Sequence, residues 1–407
     1  MGKMKLSTKI LLGLGLGILV GLFVPADFAN TFIKPIGTLF LRLIKMVIVP
    51  LVFASLVVGA SSVGDIKKLG RMGGKTVGYY LVTTAIAVII GLTLANIMVP
   101  GAGLELPVDA KYEGKQAPSI VNVLLEVIPD NPLGALVNGS MLQIIAFALF
   151  IGIGITLVGE KSNVVKNFFD GFAEVMYRIT GIVMEFAPYG VFGLIVPVVA
   201  QYGLDVLAPL AMVILAVYLG CIIHGAVVYS AAVKFIGKMS PLTFYKGILP
   251  AQVIAFSTCS SAGTLPATIK SVEENLGVSN DVASFVLPLG ATINMDGTAV
   301  YQGICALFVA QVYGLDLSLG QQLTVVLVGT LASIGAAGVP GAGLIMLTMT
   351  LTAVNLPLDG IALVAGIDRI LDMARTTLNV TGDASAAVVV AATEGELNIP
   401  VNSNLSV

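Results

Sequence analysis

Residues 368–383 read Asp-Arg-Ile-Leu-Asp-Met-Ala-Arg-Thr-Thr-Leu-Asn-Val-Thr-Gly-Asp, inside a segment apolar enough to cross a membrane. Asp368, Asp372, Arg375, Asn379 and Asp383 recur at intervals of four, three, four and four. At about 100° per residue these intervals place all five within roughly an 80° arc of one helix face. Ionised groups at membrane depth cost several kcal/mol each unless they meet partners, water or ligand. The stripe therefore reads as a binding site for something small, polar and charged.

The surrounding chain supports that setting. Of its 407 residues 57% are hydrophobic and 11% charged, with a mean hydropathy of +0.99. Soluble domains carry about 25% charged residues, so the composition describes an integral membrane protein in a lipid bilayer. Abundant Gly, 46 residues, suits close helix packing, and Trp is absent. A net charge of −2 gives no reason to expect nucleic acid as a partner. Cys221, Cys259 and Cys305 lie in apolar or small-residue stretches, without metal-type spacing, and predict no disulfide framework. His224, the single histidine, stands alone on an apolar run and reads as structural, with proton relay as the other reading. Lys3, Lys5 and Lys9 precede an apolar run lacking a small-residue cleavage site, which predicts a retained first span.

Hydropathy predicts six spans near 9–25, 37–60, 77–99, 120–157, 164–200 and 204–235. The two long ones imply tilt or breaks, for which Pro132 and Pro188 are candidates. Lys67, Lys68, Arg71 and Lys75 follow the second span, Lys161 and Lys166 the fourth, and Lys234, Lys238 and Lys246 the sixth. Two cytoplasmic termini place every basic loop inside. Beyond residue 240, stretches 241–277 and 321–357 are apolar but interrupted by small and turn-forming residues, 257–266 and 333–343 respectively. Each arm is too short to span, so each stretch predicts a hairpin entering and leaving from one side. Each hairpin precedes a full apolar segment, 281–312 or 358–393. Because one span separates them, the two hairpin-plus-span units are inverted repeats, the sequence pointer to a transporter's substrate site.

Segment 281–312 carries its own break, Gly290-Ala-Thr-Ile-Asn-Met-Asp-Gly-Thr298. Glycines flanking an Asn-Met-Asp core let the helix unwind and offer carbonyl oxygens. Together with the Asn294 amide and the Asp296 carboxylate these are hard ligands, suited to Na⁺ rather than to soft metals. Thr83 and Thr84, after Tyr79-Tyr80, are further oxygens, although hydroxyls within spans usually bond back to their own helix.

Here the chain resembles the dicarboxylate/amino acid:cation symporter family, over about residues 5–395. The resemblance rests on Ser-Ser-Ala-Gly-Thr-Leu-Pro at 260–266, Asn-Met-Asp-Gly-Thr at 294–298, Gly-Val-Pro-Gly-Ala-Gly at 338–343 and the 372–383 segment. It implies an all-α membrane fold of eight transmembrane helices plus two re-entrant hairpins, assembled as a homotrimer and working as an elevator. On that plan residues 1–76 and 120–203 supply a scaffold. Residues 77–119, 204–240 and 241–395 supply a mobile transport domain and one extracellular loop, and 396–407 form a cytoplasmic tail. The location implied is the inner (plasma) membrane of a prokaryote.

The resemblance also implies roles. Asp372 would meet a substrate amino group, and Arg375, with Thr298, a side-chain carboxylate. Asn379 and Ser261 would meet the α-carboxylate, with Cys259, Ser260, Val339 and Gly343 alongside and Thr376 as a further contact. One sodium site would comprise Gly290, Asn294, Asn379 and Asp383. A second would comprise Tyr80, Thr83, Thr84, Asn294 and Asp296, with Met295 in the same peptide. A third would use Thr292, Ser333, Ile334 and Ala336. Arg375 is a planar, permanently charged fork suited to carboxylates. Family members for neutral amino acids typically lack it, which favours L-aspartate or L-glutamate; an internal salt bridge to Asp372 alone is its other reading. Cys259 replaces the arginine or serine of relatives, Arg369 lies earlier than the arginine of animal members, and Ala336 replaces a threonine. The function implied is sodium-coupled import of an acidic amino acid, not catalysis. Proton coupling and C4-dicarboxylate or citrate transport are the rivals. An intramembrane hydrolase explains neither the hairpins nor Arg375, and a channel alone would show no uphill accumulation.

Overall fold

The computed structural model describes residues 6–61, 69–104, 125, 128–203, 207–333 and 341–398. Among these residues the secondary structure is helical, without a β-strand. The principal helices are α1 (Leu6–Gly21), α2 (Lys34–Ser61), α3 (Leu69–Met98), α4 (Pro132–Asn138), α5 (Met141–Val158), α6 (Asn163–Glu185), α7 (Ala187–Tyr202), α8 (Leu207–Ile223) and α9 (Ser230–Phe235). They continue with α10 (Pro241–Thr258), α11 (Ser261–Lys270), α12 (Asn280–Ile293), α13 (Asp296–Val312), α14 (Leu319–Ala332), α15 (Ala342–Ala353) and α16 (Ile361–Glu394). Three helical stretches are long and apolar enough to cross a membrane: Arg71–Met98, Ala146–Val183 and Leu207–Phe235.

The irregularities follow local chemistry. Hairpin stretch 241–277 is α10 and α11 packed together, with only Cys259 and Ser260 between them. Ser260 caps α11 by accepting from the Gly263 amide at 3.0 Å. Stretch 321–357 is likewise α14 packed on α15, and its connection at 334–340 lies outside the described residues. Segment 281–312 breaks between α12 and α13, where Asn294 (φ −91°, ψ 94°) and Met295 (φ −119°, ψ 47°) leave the helical region. Pro188 opens α7, one residue after the helix changes direction. Pro132 stands at a break, as expected: residues 128–131 are non-helical, and it begins α4 behind an Asn131 cap. A second break falls at Gly139, whose φ of 68° ends that helix in the left-handed region.

Two groups of helices pack internally. α1, α2, α5, α6 and α7 form one, and α3, α8 and α10 to α16 form the other around α16. The first is held by close backbone contact. Gly13, Gly17 and Gly21, four residues apart on α1, face Pro188, Ile195 and Val199 of α7. Small residues at this spacing let membrane helices approach closely. In the second group Gly91 of α3 abuts the Val300 carbonyl, while Gly303 of α13 abuts that of Val88. At the far end of α16, Glu394 pairs with Arg71 (2.5 Å) and Lys75 (2.6 Å) of α3.

The α1–α7 contact yields a sign test. Gly15 has open space around it, so Gly15→Ala should leave stability unchanged or raise it by up to about 1 kcal/mol through helix propensity. Gly13→Ala would drive a methyl group into the Pro188 carbonyl, and should lower stability by about 1–3 kcal/mol despite the same propensity gain. Thermal unfolding of both variants in one detergent checks the pair.

Candidate functional site

Helix α16 runs 34 residues without a proline and stops at Gly395, whose φ is 74°. It therefore carries the whole polar stripe on one rigid face. Asp368, Asp372, Arg375, Asn379 and Asp383 are all buried, none more than 8% exposed. The α12–α13 break, the tip of α10–α11 and the start of α15 converge on that face.

Arg375 is fully buried, its guanidinium lying 4.2 Å from the centre of the Tyr301 ring. Nη1 donates to Asp368 Oδ1 at 2.8 Å. Nη2 is 3.0 Å from Asp372 Oδ1 but not aligned to donate, and Nε meets no acceptor among the described residues. The internal bridge thus involves Asp368 as well as Asp372, and donors of the fork stay without acceptors. Asp368, which has no role under the resemblance, is what holds the guanidinium. Gly343 of α15 lies so close that a Cβ there would fall 2.6 Å from Nη1. Asp372 Oδ2 accepts from the Gly341 amide at 3.3 Å, and the left-handed φ of 85° at Gly341 favours glycine. Thr376 donates to Asp372 Oδ1 at 3.4 Å. Thr298 is buried on the first turn of α13.

The α10–α11 tip reaches α16 through Arg369, whose Nη2 donates to the Ser257 carbonyl at 3.1 Å. That cation at the C-terminal end of α10 also complements the helix dipole. Cys259 at the tip is buried with φ 54°, and Ser261 is buried at the start of α11. Val339, Ile334 and Ala336 lie outside the described residues.

The oxygen-rich part sits at the α12–α13 break. Asn294 Nδ2 donates to Asp383 Oδ1 (2.9 Å) and to the Asn379 carbonyl (2.9 Å). Its Oδ1 is buried with no donor among the described residues. Asn379 Oδ1 accepts from the Gly297 amide at 2.7 Å, and its Nδ2 lies 3.2 Å from Met295 Sδ. Asn379 therefore serves the broken span rather than turning toward Arg375. A Cβ on Gly290 would fall 2.5 Å from both Asp383 Oδ1 and the Tyr80 hydroxyl, so only a bare α-carbon admits those two groups. Asp296 Oδ1 accepts from Thr84 at 2.6 Å, and Oδ2 accepts from Tyr229 at 2.7 Å and lies 3.1 Å from His224 Nε2. The isolated position of His224 in the sequence gave no sign of this contact.

Other predicted cation ligands are engaged locally. Thr83 donates to the Tyr80 carbonyl, Thr292 to that of Leu289 and Ser333 to that of Thr330. Thr292 and Ser333 are joined by no hydrogen bond recorded among the described residues. The geometry gathers Gly290, Asn294, Asn379 and Asp383, and beside them Tyr80, Thr84 and Asp296. Asp368 and Asp372 meet the Arg375 guanidinium, while Asp296 and Asp383, also buried, meet hydroxyl, imidazole and amide groups. An orphaned Asn294 oxygen and this excess of negative charge suit hard cations; the unsatisfied guanidinium donors suit an anionic ligand group.

A family model, the sodium:dicarboxylate symporter family, matches residues 6–393. A proton/sodium-glutamate symport protein of Geobacillus stearothermophilus is 41% identical, covering 98% of this chain and 96% of its own length. A proton/glutamate-aspartate symporter of Escherichia coli (strain K12) is 40% identical, with 96% and 93% covered. A C4-dicarboxylate transport protein of Bacillus subtilis (strain 168) is 36% identical, with 97% and 94% covered.

Gly343→Ala tests the Arg375 pocket. The added methyl group displaces the guanidinium, so affinity for a carboxylate-bearing ligand should fall about tenfold, near 1.4 kcal/mol. Thermal unfolding should move only slightly. Calorimetric titration with aspartate against both proteins measures the first effect, and unfolding scans the second.

Proposed function

This chain belongs to the sodium:dicarboxylate symporter family, whose members are transporters and not enzymes, and we propose that it imports L-aspartate or L-glutamate coupled to Na⁺. The observation that carries the substrate class is Arg375: fully buried, held by Asp368, and keeping guanidinium donors without acceptors. A buried fork with free donors favours a carboxylate that can satisfy them. Asp372, one turn away, then meets the substrate ammonium. An acidic amino acid supplies both groups, with the Gly341 amide and Gly343 closing over them from α15.

Sodium is favoured as the coupling ion by the donor chemistry. Asn294 Oδ1, the Asp383 and Asp296 carboxylates, the Tyr80 and Thr84 hydroxyls and the α12–α13 carbonyls are all hard oxygens. Na⁺ bound there offsets the negative excess that the substrate ammonium alone leaves. The printed names of the relatives, which join proton and sodium coupling and include a C4-dicarboxylate carrier, keep two rivals in view: proton coupling, and a substrate without an amine. Both turn on which positive charges complete the site.

The wider plan follows the resemblance. The group α1, α2, α5, α6 and α7 is assigned to a trimerisation scaffold, and the group around α16 to a transport domain that moves as an elevator. The protein is placed as a homotrimer in the inner membrane with both termini cytoplasmic. The denser packing within each group than between them supports that division.

Proteoliposomes with imposed gradients test the reading. An inward Na⁺ gradient should drive uphill aspartate uptake, and an inward H⁺ gradient alone should not. Malate should compete poorly with aspartate, because Asp372 would face no ammonium. Arg375→Ala, confirmed as folded by monodisperse elution, should lose about 100-fold or more of aspartate uptake. Unchanged uptake in that variant would remove Arg375 from the substrate site.

A further inference from the structure

We propose that His224 and Tyr229 form a positioning pair that fixes the Asp296 carboxylate in the orientation in which it receives Na⁺. The inference rests on reading Asp296 as a cation ligand, and adds two residues that neither the sequence motifs nor the relatives assign.

The argument begins with the backbone. Between α8 and α9 the chain winds as a π turn over His224–Tyr229. Residues five apart in an α-helix point about 140° away from each other. In a π turn, hydrogen bonds run from i to i+5 and residues at that spacing come nearly into line; such turns frequently occur at functional sites. Only that winding lets both side chains reach the same oxygen. The ring of His224 then stands edge-on to that of Tyr229, with centroids 4.7 Å apart and planes at 88°, so each limits the rotation of the other.

Donor directions supply the second step. Tyr229 donates to Asp296 Oδ2 at 2.7 Å, and His224 Nε2 lies 3.1 Å from the same oxygen. A carboxylate only accepts, so Nε2 presents a proton to Oδ2. Nδ1 is buried and has no donor among the described residues. A residue selected for packing alone would not leave a ring nitrogen unsatisfied, whereas one needed for its Nε2–H accepts that cost. With Oδ2 occupied by two donors, Oδ1 is the less occupied oxygen. Among the described residues it accepts from the Thr84 hydroxyl at 2.6 Å, which can turn its hydrogen away and offer a lone pair to a cation beside Oδ1.

Clearance is the third. A Cβ at Gly382 would collide with the Tyr229 hydroxyl and with Asn294 Nδ2. The bare α-carbon just before Asp383 is what lets the tyrosine pass α16 to reach Asp296. The pair thus stands behind Asp296, supporting it as outer-shell partners commonly support metal-binding ligands.

The test compares His224→Ala, His224→Gln, Tyr229→Phe and Asp296→Asn as purified full-length proteins. Two readouts are used: the Na⁺-induced rise in Tm without substrate, and the Na⁺ concentration giving half-maximal aspartate uptake. His224→Ala should weaken the apparent Na⁺ affinity about tenfold and shrink the Na⁺-induced Tm rise measured against the same variant without Na⁺. His224→Gln, which keeps a donor, should recover most of both. Tyr229→Phe, which removes one hydroxyl, should move them in the same direction, and decides the matter if His224→Ala does not fold. Wild-type Na⁺ response in His224→Ala and Tyr229→Phe, or a glutamine no better than alanine, would overturn the proposal. If Asp296→Asn leaves the Na⁺ response intact, the cation reading of Asp296 itself fails. If it abolishes the response while the His224 and Tyr229 variants do not move it, only the positioning role fails.

Discussion

Burial of charge without a matching counter-charge is the constraint on which the structure turns. Asp296, Asp368, Asp372 and Asp383 are all buried, Asp368 and Asp372 beside Arg375 and the other two at the α12–α13 break. Continuum and mutational arguments agree that an unpaired buried charge is strongly destabilising. The protein answers part of this internally. Asp368 and Asp372 flank Arg375, Asp383 receives the Asn294 amide, and Asp296 receives hydroxyls from Thr84 and Tyr229. What stays unbalanced is negative, and it is concentrated where two helices are broken or begin. The binding chemistry of the site is the remainder of that balance.

Glycine makes such a cluster possible, and in two different ways. Gly13, Gly17 and Gly21 bring whole helices together. Gly290, Gly343 and Gly382 instead make room for single polar groups: Asp383 and Tyr80, the Arg375 guanidinium, and the Tyr229 hydroxyl with the Asn294 amide. A methyl group at any of the latter would meet a polar atom at less than contact distance. The abundance of glycine in the sequence thus has a local meaning that composition alone cannot convey.

Much of this was legible beforehand because it depends on helical spacing or on helix-breaking residues. The α16 stripe follows from intervals of three and four, and the Asn294–Met295 break from its flanking glycines. The α10–α11 tip follows from a run of small residues. What was not legible depends on contacts between distant segments or on exceptions to the α-helical period. The part of Asp368 in holding Arg375 spans two turns and competes with the nearer Asp372. The His224–Asp296 contact requires a π turn for which the local sequence has no marker. The break at Gly139 had no proline to mark it, whereas Pro132 marks the non-helical residues before it by opening α4 behind the Asn131 cap. Arg369, which lies earlier than the arginine of animal members, ties a hairpin tip to α16 through backbone carbonyls.

Asn379 has one further consequence. Its side chain holds the first turn of α13 at Gly297, its carbonyl holds Asn294, and it sits one turn beyond Arg375 on an unbroken helix. On the proposed function, a cation at the Asn294 region and a substrate at Arg375 would act on the two ends of one stiff lever. Linkage then demands reciprocity: whatever factor the ion contributes to substrate affinity, the substrate returns to ion affinity. On the proposed function, that coupling would run through one asparagine's place on α16.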